Sequence, residues 1–172
     1  MIIKNLKFID FLTVTFLVEV ISIIIPRNNA VYKWLEKYWW TNLQWTAIIL
    51  DMTSILGGFY LAKFAYSSLL QFNIISNNYP ILKYSSLLIL IQIIHDTLFY
   101  LTKIKPTKRG SNYIIDLFKD YSKIAGVDAI TGDSLMYLIA LPVLFNIYNL
   151  NIDLKIFLCI LCFYLLGYLI YK

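Results

Sequence analysis

The stretch that decides the fold runs from Ile93 to Tyr137 and reads IIHDTLFYLTKIKPTKRGSNYIIDLFKDYSKIAGVDAITGDSLMY. It leaves one apolar segment through His95 and Asp96, crosses a basic loop and an amphipathic segment, and enters a second apolar segment at Ser134. The apolar segments on either side are long enough to hold this polar block at a membrane surface. The stretch therefore indicates a chain that crosses a membrane more than once.

The whole chain is depleted in charge. Of its 172 residues, 60% are hydrophobic and 15% are charged, and the mean hydropathy is +0.70, whereas soluble domains carry about 25% charged residues. The apolar runs do not alternate polar and apolar residues, as the strands of a transmembrane barrel do. We therefore predict one all-α domain over residues 1–172, a polytopic transmembrane helical bundle, and we see no internal repeat.

Five segments have about the length that a helix needs to cross a bilayer, which is about 20 residues. We predict spans at residues 9–25, 43–70, 81–101, 134–150 and 154–171. Two further helices are predicted to lie in the membrane interface, at residues 31–42 and 113–125. The first is rich in tryptophan beside lysine, which is typical of the headgroup region, and the second repeats apolar residues at three- and four-residue spacing.

The basic residues divide unevenly between the two faces of this bundle. We call the face at the N-terminus side A and the opposite face side B; ten of the fifteen Lys and Arg residues fall on side B. The positive-inside tendency places side B in the cytoplasm. The ten are Arg27, Lys33, Lys37, Lys103, Lys105, Lys108, Arg109, Lys119, Lys123 and Lys172.

Four acidic residues interrupt four different apolar segments. At about 1.5 Å per helical residue, Glu19, Asp51, Asp96 and Asp133 all fall in the half of the bilayer towards side B, with Asp51 deepest and Asp133 shallowest. We therefore predict one buried polar cluster. Its predicted members are Glu19, Asp51, His95, Asp96, Asp133 and Ser134, with Gln92 and Thr53 as neighbours.

The predicted cluster has three interpretations that the sequence leaves open. It is a hydrogen-bonded clasp that fixes helix packing, a site for protons or ions, or a site for chemistry, since ionisable residues inside membranes are functional candidates. The single histidine is too few for a zinc site. We predict no catalytic residue, no metal and no cofactor.

Two other features indicate interactions. Ser54, Gly58 and Ala62 recur at four-residue spacing, and such strips of small residues let helix backbones approach closely. The side-B residues Lys103, Lys105, Lys108, Arg109, Lys119 and Lys123 form a predicted basic face that is suited to anionic lipid, nucleic acid or acidic protein.

The central stretch resembles multi-pass membrane proteins of nucleocytoplasmic large DNA viruses, the giant viruses. The similarity is carried by DTLFY at 96–100, KP at 105–106, RGSN at 109–112, Asp116, DY at 120–121, AI at 129–130 and GDSLM at 132–136. The resemblance implies a component of the virion internal membrane, assembled on membrane derived from the host endoplasmic reticulum. It also implies contact with minor capsid proteins or with the genome core.

The first prediction for function is therefore a non-enzymatic assembly protein of a viral internal membrane. It would contact the bilayer, capsid or other membrane proteins and further copies of itself, with direct nucleic-acid contact as a further option. The alternatives are a small ion or proton channel or transporter that uses the Asp/His cluster, and a membrane-embedded enzyme that acts at side B.

Overall fold

The computed structural model describes residues 2–25 and 28–171, so Met1, Pro26 and the predicted side-B residues Arg27 and Lys172 lie outside the described residues. The described chain is helical and contains no strand. Its helices are α1 Ile2–Asn5, α2 Phe8–Ile24, α3 Ala30–Trp34, α4 Thr41–Leu43, α5 Trp45–Gln71, α6 Pro80–Phe99, α7 Tyr113–Ala125, α8 Asp128–Tyr148 and α9 Ile152–Ile170. A π-helical segment, Leu35–Trp40, joins α3 to α4, and a second, Tyr100–Ile104, extends α6.

Four helices of the described chain are long and apolar enough to cross a membrane: Trp45–Gln71, Pro80–Ile104, Asp128–Tyr148 and Ile152–Ile170. They fit an integral multi-pass membrane protein. The first predicted span is the shorter helix α2, of 17 residues, so the prediction of five spans is approximate. α2 runs alongside α9 for its whole length, because Asp10 meets Lys155 at one end and Val20 shares a core with Leu166 and Ile170 at the other.

α2 occupies the centre of the bundle and packs against α5, α8 and α9. Its central position explains why polar residues of an apolar helix are buried, with Thr13 and Thr15 fully inaccessible. Both threonine hydroxyls donate to backbone carbonyls four residues earlier. This arrangement satisfies the hydroxyl groups within the helix, and the cost of burying a polar group is then small.

The start of α8 differs from the prediction. We predicted a span from residue 134, but α8 begins at Asp128 and takes in Thr131, Gly132 and Asp133. Asp133 therefore lies in the second turn of a helix and not at the start of a span.

The structure also contains a repeat that we did not see in the sequence. Residues 8–71 and residues 80–148 each form a helix from side A to side B, an interfacial helix and a returning helix. Both interfacial helices begin at an asparagine cap: the Asn29 side chain accepts from the Tyr32 amide, and the Asn112 side chain accepts from the Ile115 amide. We call these segments unit 1 and unit 2.

The joints before the returning helices match as well. Gln44 has φ 51° and ψ −125°, and Gly126 has φ 51° and ψ −124°, a region that residues other than glycine rarely enter. The seventh residue after each joint is an aspartate, Asp51 in unit 1 and Asp133 in unit 2. Each aspartate follows an Ala-Ile pair by the same interval, Ala47-Ile48 and Ala129-Ile130.

Candidate functional site

The centre of the side-B half of the bundle holds a cavity of about 140 Å³, which we call the acid cavity. Polar groups from four helices of the two units reach its wall. These are Glu19 of α2, Asp51 of α5, Gln92 of α6 and Asp133 of α8. Aromatic side chains provide much of the remaining wall, namely Trp34, Trp39, Trp40, Phe118, Tyr121 and Tyr137.

Glu19 and Asp51 are the acidic pair of unit 1. The indole N–H of Trp39 donates to Oδ2 of Asp51 at 2.8 Å, and the Glu19 carboxyl lies beside that of Asp51. Glu19 is 1% exposed, and its Oε1 atom has no hydrogen-bond partner among the described residues. The buried indole N–H of Trp40 is unpartnered in the same way. A buried polar atom without a partner costs about 1–3 kcal/mol, so a ligand that bonded to Oε1 of Glu19 would offset that cost.

Asp96 and Asp133 are the corresponding pair of unit 2. Gln92 donates its side-chain amide to Oδ1 of Asp96 at 2.7 Å, while Oδ2 of Asp96 is buried without a partner. The Asp133 carboxyl lies beside that of Asp96. Asp133 also lines a second cavity, of about 400 Å³, that contacts Asp96; we call it the lateral cavity. Each unit therefore brings one acid from its outgoing helix to one acid from its returning helix.

The two interfacial helices cover the acid cavity on side B. Trp34 packs on Tyr121 with ring centroids 5.3 Å apart, and Trp39 packs on Phe118 at 5.0 Å. Burial, followed by the negative charge of nearby Asp133, raises the pKa of the Tyr121 hydroxyl. Our prediction that α7 lays its apolar face in lipid was wrong, because that face packs on the first interfacial helix. The three tryptophans are core residues, at 8%, 4% and 7% exposure for Trp34, Trp39 and Trp40, and not the aromatic belt that we expected.

Four of the predicted polar residues do not line the acid cavity: Asp96, which lies beside Asp133, and His95, Ser134 and Thr53. The side chain of His95 is 51% exposed; it stacks on Phe99, and its Nδ1 lies 3.1 Å from Oδ1 of its neighbour Asp96. The Ser134 hydroxyl donates to the Ile130 carbonyl one turn back, and the exposed Thr53 hydroxyl does the same to Ile49. Both hydroxyls are therefore occupied by their own helices, and His95 does not reach Asp51 or Asp133.

The strip of small residues packs differently from our expectation. Ala62 is fully buried, Gly58 is buried and Ser54 is exposed. The Tyr137 side chain of α8 lies over Gly58, and its hydroxyl donates to the carbonyl of Ile55 at 3.2 Å. The strip thus receives one large side chain in place of a neighbouring backbone. The main helix neighbours of α5 are α6 and α2, not α8.

The predicted basic face is a folded loop on α7. Arg109 forms an ion pair with Asp120, the Lys119 ammonium donates to the Thr107 carbonyl, and the Gly110 amide donates to Asp116 at 2.8 Å. The Arg109 guanidinium holds the pKa of the Asp120 carboxyl below its usual range. Arg109 and Lys119 thus fasten the loop, while four lysines project from this face: Lys103, Lys105, Lys108 and Lys123.

Sequence reasoning missed a buried ion pair near side A. The Lys155 ammonium lies 2.6 Å from Oδ1 of Asp10, with their side chains 8% and 2% exposed. Lys155 also donates to the Tyr148 carbonyl at 3.1 Å. The sequence contained a signal for this pair. Asp10 and Lys155 have opposite charges, and each lies in the first turn of an apolar helix that starts on side A.

A dry layer separates this ion pair from the acid cavity. It consists of side chains with no exposed surface, among them Phe11, Val14, Phe59, Tyr84 and Leu88. The acid cavity is therefore closed towards side A by packed hydrocarbon. In the part of the chain that the structure describes, no group of three or more His, Cys, Asp or Glu side chains is arranged to hold a metal ion.

Comparison of the chain with protein-family models, with curated proteins and with solved structures gave no match. The site must therefore be interpreted from its own chemistry, and the resemblance to giant-virus membrane proteins stays a prediction.

Proposed function

We propose that the protein is a small membrane carrier that moves protons or another cation by binding them at the acid cavity. The observation that carries the proposal is the convergence of three acids from the two units, Glu19, Asp51 and Asp133, on one cavity in which Oε1 of Glu19 has no hydrogen-bond partner among the described residues. Carboxylates buried in a membrane protein are retained at a cost, and they commonly mark the path of an ion or proton.

The repeat supports the same proposal. Many carriers consist of two structural repeats, with the substrate and coupling-ion sites near the middle of the bilayer at the repeat interface. Here Glu19 and Asp51 come from unit 1, and Gln92 and Asp133 come from unit 2. A carrier of this kind alternates its access, and the closed layer around Phe11, Phe59 and Leu88 fits a conformation sealed towards side A.

The side chains that surround the acids are hydrogen-bond donors and tyrosine hydroxyls. Trp39 donates to Asp51, Gln92 donates to Asp96, and the Tyr121 and Tyr137 hydroxyl-bearing rings line the same cavity. Among the described residues, no lysine or arginine lines the acid cavity. A bound cation would therefore be balanced by the carboxylates alone, which makes each carboxylate necessary for binding.

The experiment is a proton-flux measurement on the full chain in proteoliposomes with an enclosed pH-sensitive dye. We expect the protein to dissipate an imposed pH gradient and Asp51→Asn and Asp133→Asn to reduce the rate to that of protein-free liposomes. Asp153→Asn, an exposed carboxylate outside the cavity, is the matched control and should keep the wild-type rate. Wild-type flux equal to that of empty liposomes, with potassium and sodium also tested as the moving cation, would contradict the proposal.

A second candidate is the assembly role in a viral internal membrane. It is favoured by the basic loop, because Arg109–Asp120 and Lys119–Thr107 hold the loop on α7 before any partner binds. A pre-ordered surface loses less entropy on binding than a mobile one. Capsid or core proteins with acidic surfaces, or nucleic acid, are the partners that such a lysine-rich face suits.

This second proposal predicts that the protein is present in purified virions and crosslinks there to a capsid or core protein. Charge reversal of Lys103, Lys105 and Lys108 to Glu should abolish the crosslink without changing the amount of protein in the host membrane. Lys4→Glu with Lys7→Glu on side A is the control. Absence from virions, or crosslinking unaffected by the side-B reversal, would contradict this role.

A further inference from the structure

We propose that the lateral cavity binds an amphiphilic organic cation, with its ammonium group at Asp96 and Asp133 and its hydrocarbon part against the apolar wall. This inference rests on the proposed carrier function, because it names the class of cation that the carrier moves. It adds an entrance from the lipid of the side-B half of the bilayer.

The size and lining of the lateral cavity suit such a ligand. Its volume of about 400 Å³ falls within the range of about 300–1,000 Å³ that is usual for small-molecule sites. Most of its wall is apolar, and the cavity lies between the π-helical end of α6, the helix α7 and the start of α8. The apolar lining side chains include Phe99, Leu101, Ile104, Phe118, Val127 and Ile130.

The inner end of the cavity is lined by acidic side chains. Asp96 and Asp133 line the cavity together, and Oδ2 of Asp96 is buried without a hydrogen-bond partner. In the part of the chain that the structure describes, its lining contains no lysine or arginine. A buried carboxylate is stabilised by an opposite charge or by hydrogen-bond donors, and an organic cation provides the opposite charge. An anionic or a neutral lipid does not provide that charge.

The repeat shows that unit 1 has no such opening. The unit 1 counterparts of Ala129 and Ile130 are Ala47 and Ile48, which are 0% and 1% exposed and share a core with Leu166 and Ile170 of α9. The counterpart of Val127 is Trp45, whose ring stacks on Phe163 of α9 at 4.7 Å. α9 therefore closes the groove of unit 1.

Unit 2 has no helix in the equivalent position. Val127 is 73% exposed, and Ala129 and Ile130 remain partly accessible on the cavity wall. The groove that α9 fills in unit 1 is thus left open in unit 2, at the position where two carboxylates are within reach. We infer that a ligand from the membrane, in place of a helix of this chain, occupies it.

The test is equilibrium binding of radiolabelled dodecyltrimethylammonium to the full chain in nanodiscs of neutral phospholipid. Dodecanol and dodecyl sulfate serve as neutral and anionic competitors. We expect saturable binding that neither competitor displaces at equal concentration. Asp96→Asn should lower the affinity for dodecyltrimethylammonium at least about tenfold, because it removes an interaction between buried opposite charges. Val127→Trp, which copies the Trp45 side chain into the entrance, should also block binding.

Val127 is an exposed position, so its replacement leaves the packed core unchanged, and Ile152→Trp, at another exposed position, is the size-matched control. Binding that dodecanol displaces as well, or that Val127→Trp leaves intact, would overturn the proposal. So would a dimer of the wild type that Val127→Trp converts to monomer, because a second copy would then occupy the groove. Intact proton flux with no dodecyltrimethylammonium binding would reject only this ligand class, whereas absent flux with binding retained would reject the carrier function.

Discussion

Replacement of Gly58 by alanine should destabilise the bundle, and the structure gives the reason. A Cβ atom at residue 58 would overlap the Tyr137 hydroxyl and lie 2.9 Å from Cζ of the same ring, whereas one at residue 57 would meet nothing within 4 Å. Tyr137 has little room to move, because it is 2% exposed and its ring packs edge-on against Phe59 at 5.3 Å. The two adjacent glycines therefore form a matched pair.

The magnitude follows from two opposing effects. Overpacking of a filled core costs about 1–3 kcal/mol, and alanine gains about 0.5–1 kcal/mol over glycine in a helix. Gly57→Ala should therefore be neutral or slightly stabilising. Because the gain from alanine is common to both variants, the free energy of unfolding of Gly58→Ala should be about 1–3 kcal/mol lower than that of Gly57→Ala. The free energy of unfolding would be measured in detergent micelles by denaturant titration of the far-ultraviolet circular dichroism.

A double-mutant cycle separates this clash from a general loss of packing. Tyr137→Phe removes the hydroxyl that occupies the space above Gly58, so Gly58→Ala should cost less in that background. A coupling of at least about 1 kcal/mol is expected for residues in direct contact. Additive effects of the two changes, or equal effects of Gly57→Ala and Gly58→Ala, would refute the packing described for α5 and α8.

Three further predictions concern other parts of the chain. Lys155→Met should cost about 3–5 kcal/mol of unfolding free energy because it leaves Asp10 buried without its partner, and adding Asp10→Asn should restore most of that loss; a double variant as unstable as the single one would contradict this. Gln44→Gly should raise the free energy of unfolding by about 1 kcal/mol, since glycine relieves the positive φ; a loss of stability would count against it. The protection of the loop at 105–112 from amide hydrogen exchange, relative to the intrinsic rate at each pH, should fall below about pH 4, because the Asp120 carboxyl, whose pKa Arg109 lowers, takes up a proton and the stability present at higher pH is lost; Asp120→Asn should show the low protection at every pH.

Hydropathy predicted the helical bundle, because a chain in lipid must satisfy its backbone hydrogen bonds within helices. It did not predict the start of α8. Asp128, Thr131, Gly132 and Asp133 have the composition of a loop, but the Asp133 side chain faces a cavity and its helix begins after the turn at Gly126. The burial of a polar residue by its neighbours is not visible in its local sequence.

The sequence predicted which acids belong to the candidate site, but it did not predict the helices that cover the site. The spacing of Glu19, Asp51 and Asp96 within their helices placed these acids in the side-B half of the bilayer, and three acids, Glu19, Asp51 and Asp133, line one cavity. The pairing of the two interfacial helices could not be predicted, because each amphipathic pattern alone is equally compatible with lipid or with a protein partner. The same limit explains why Trp39 was assigned to the membrane interface.

The repeat could not be recognised from residue identities, since the returning helices share little beyond an Ala-Ile pair and an aspartate. It becomes visible when the backbone at Gln44 and Gly126 is compared, because the two residues have the same conformation seven positions before Asp51 and Asp133. The backbone conformation is the same in the two units even where the side chains differ, as at Trp45 in unit 1 and Val127 in unit 2.

The most direct test of the account is the sidedness of access to Asp133. Asp133→Cys would be made in a chain with Cys159 and Cys162 replaced by alanine, reconstituted in proteoliposomes of known orientation, and treated with a membrane-impermeant cationic thiol reagent. The account predicts faster reaction from side B than from side A, because packed side chains close the cavity towards side A in this conformation and the proposed carrier opens there only in its other conformation. Equal or faster reaction from side A, or no reaction from either side, would contradict it.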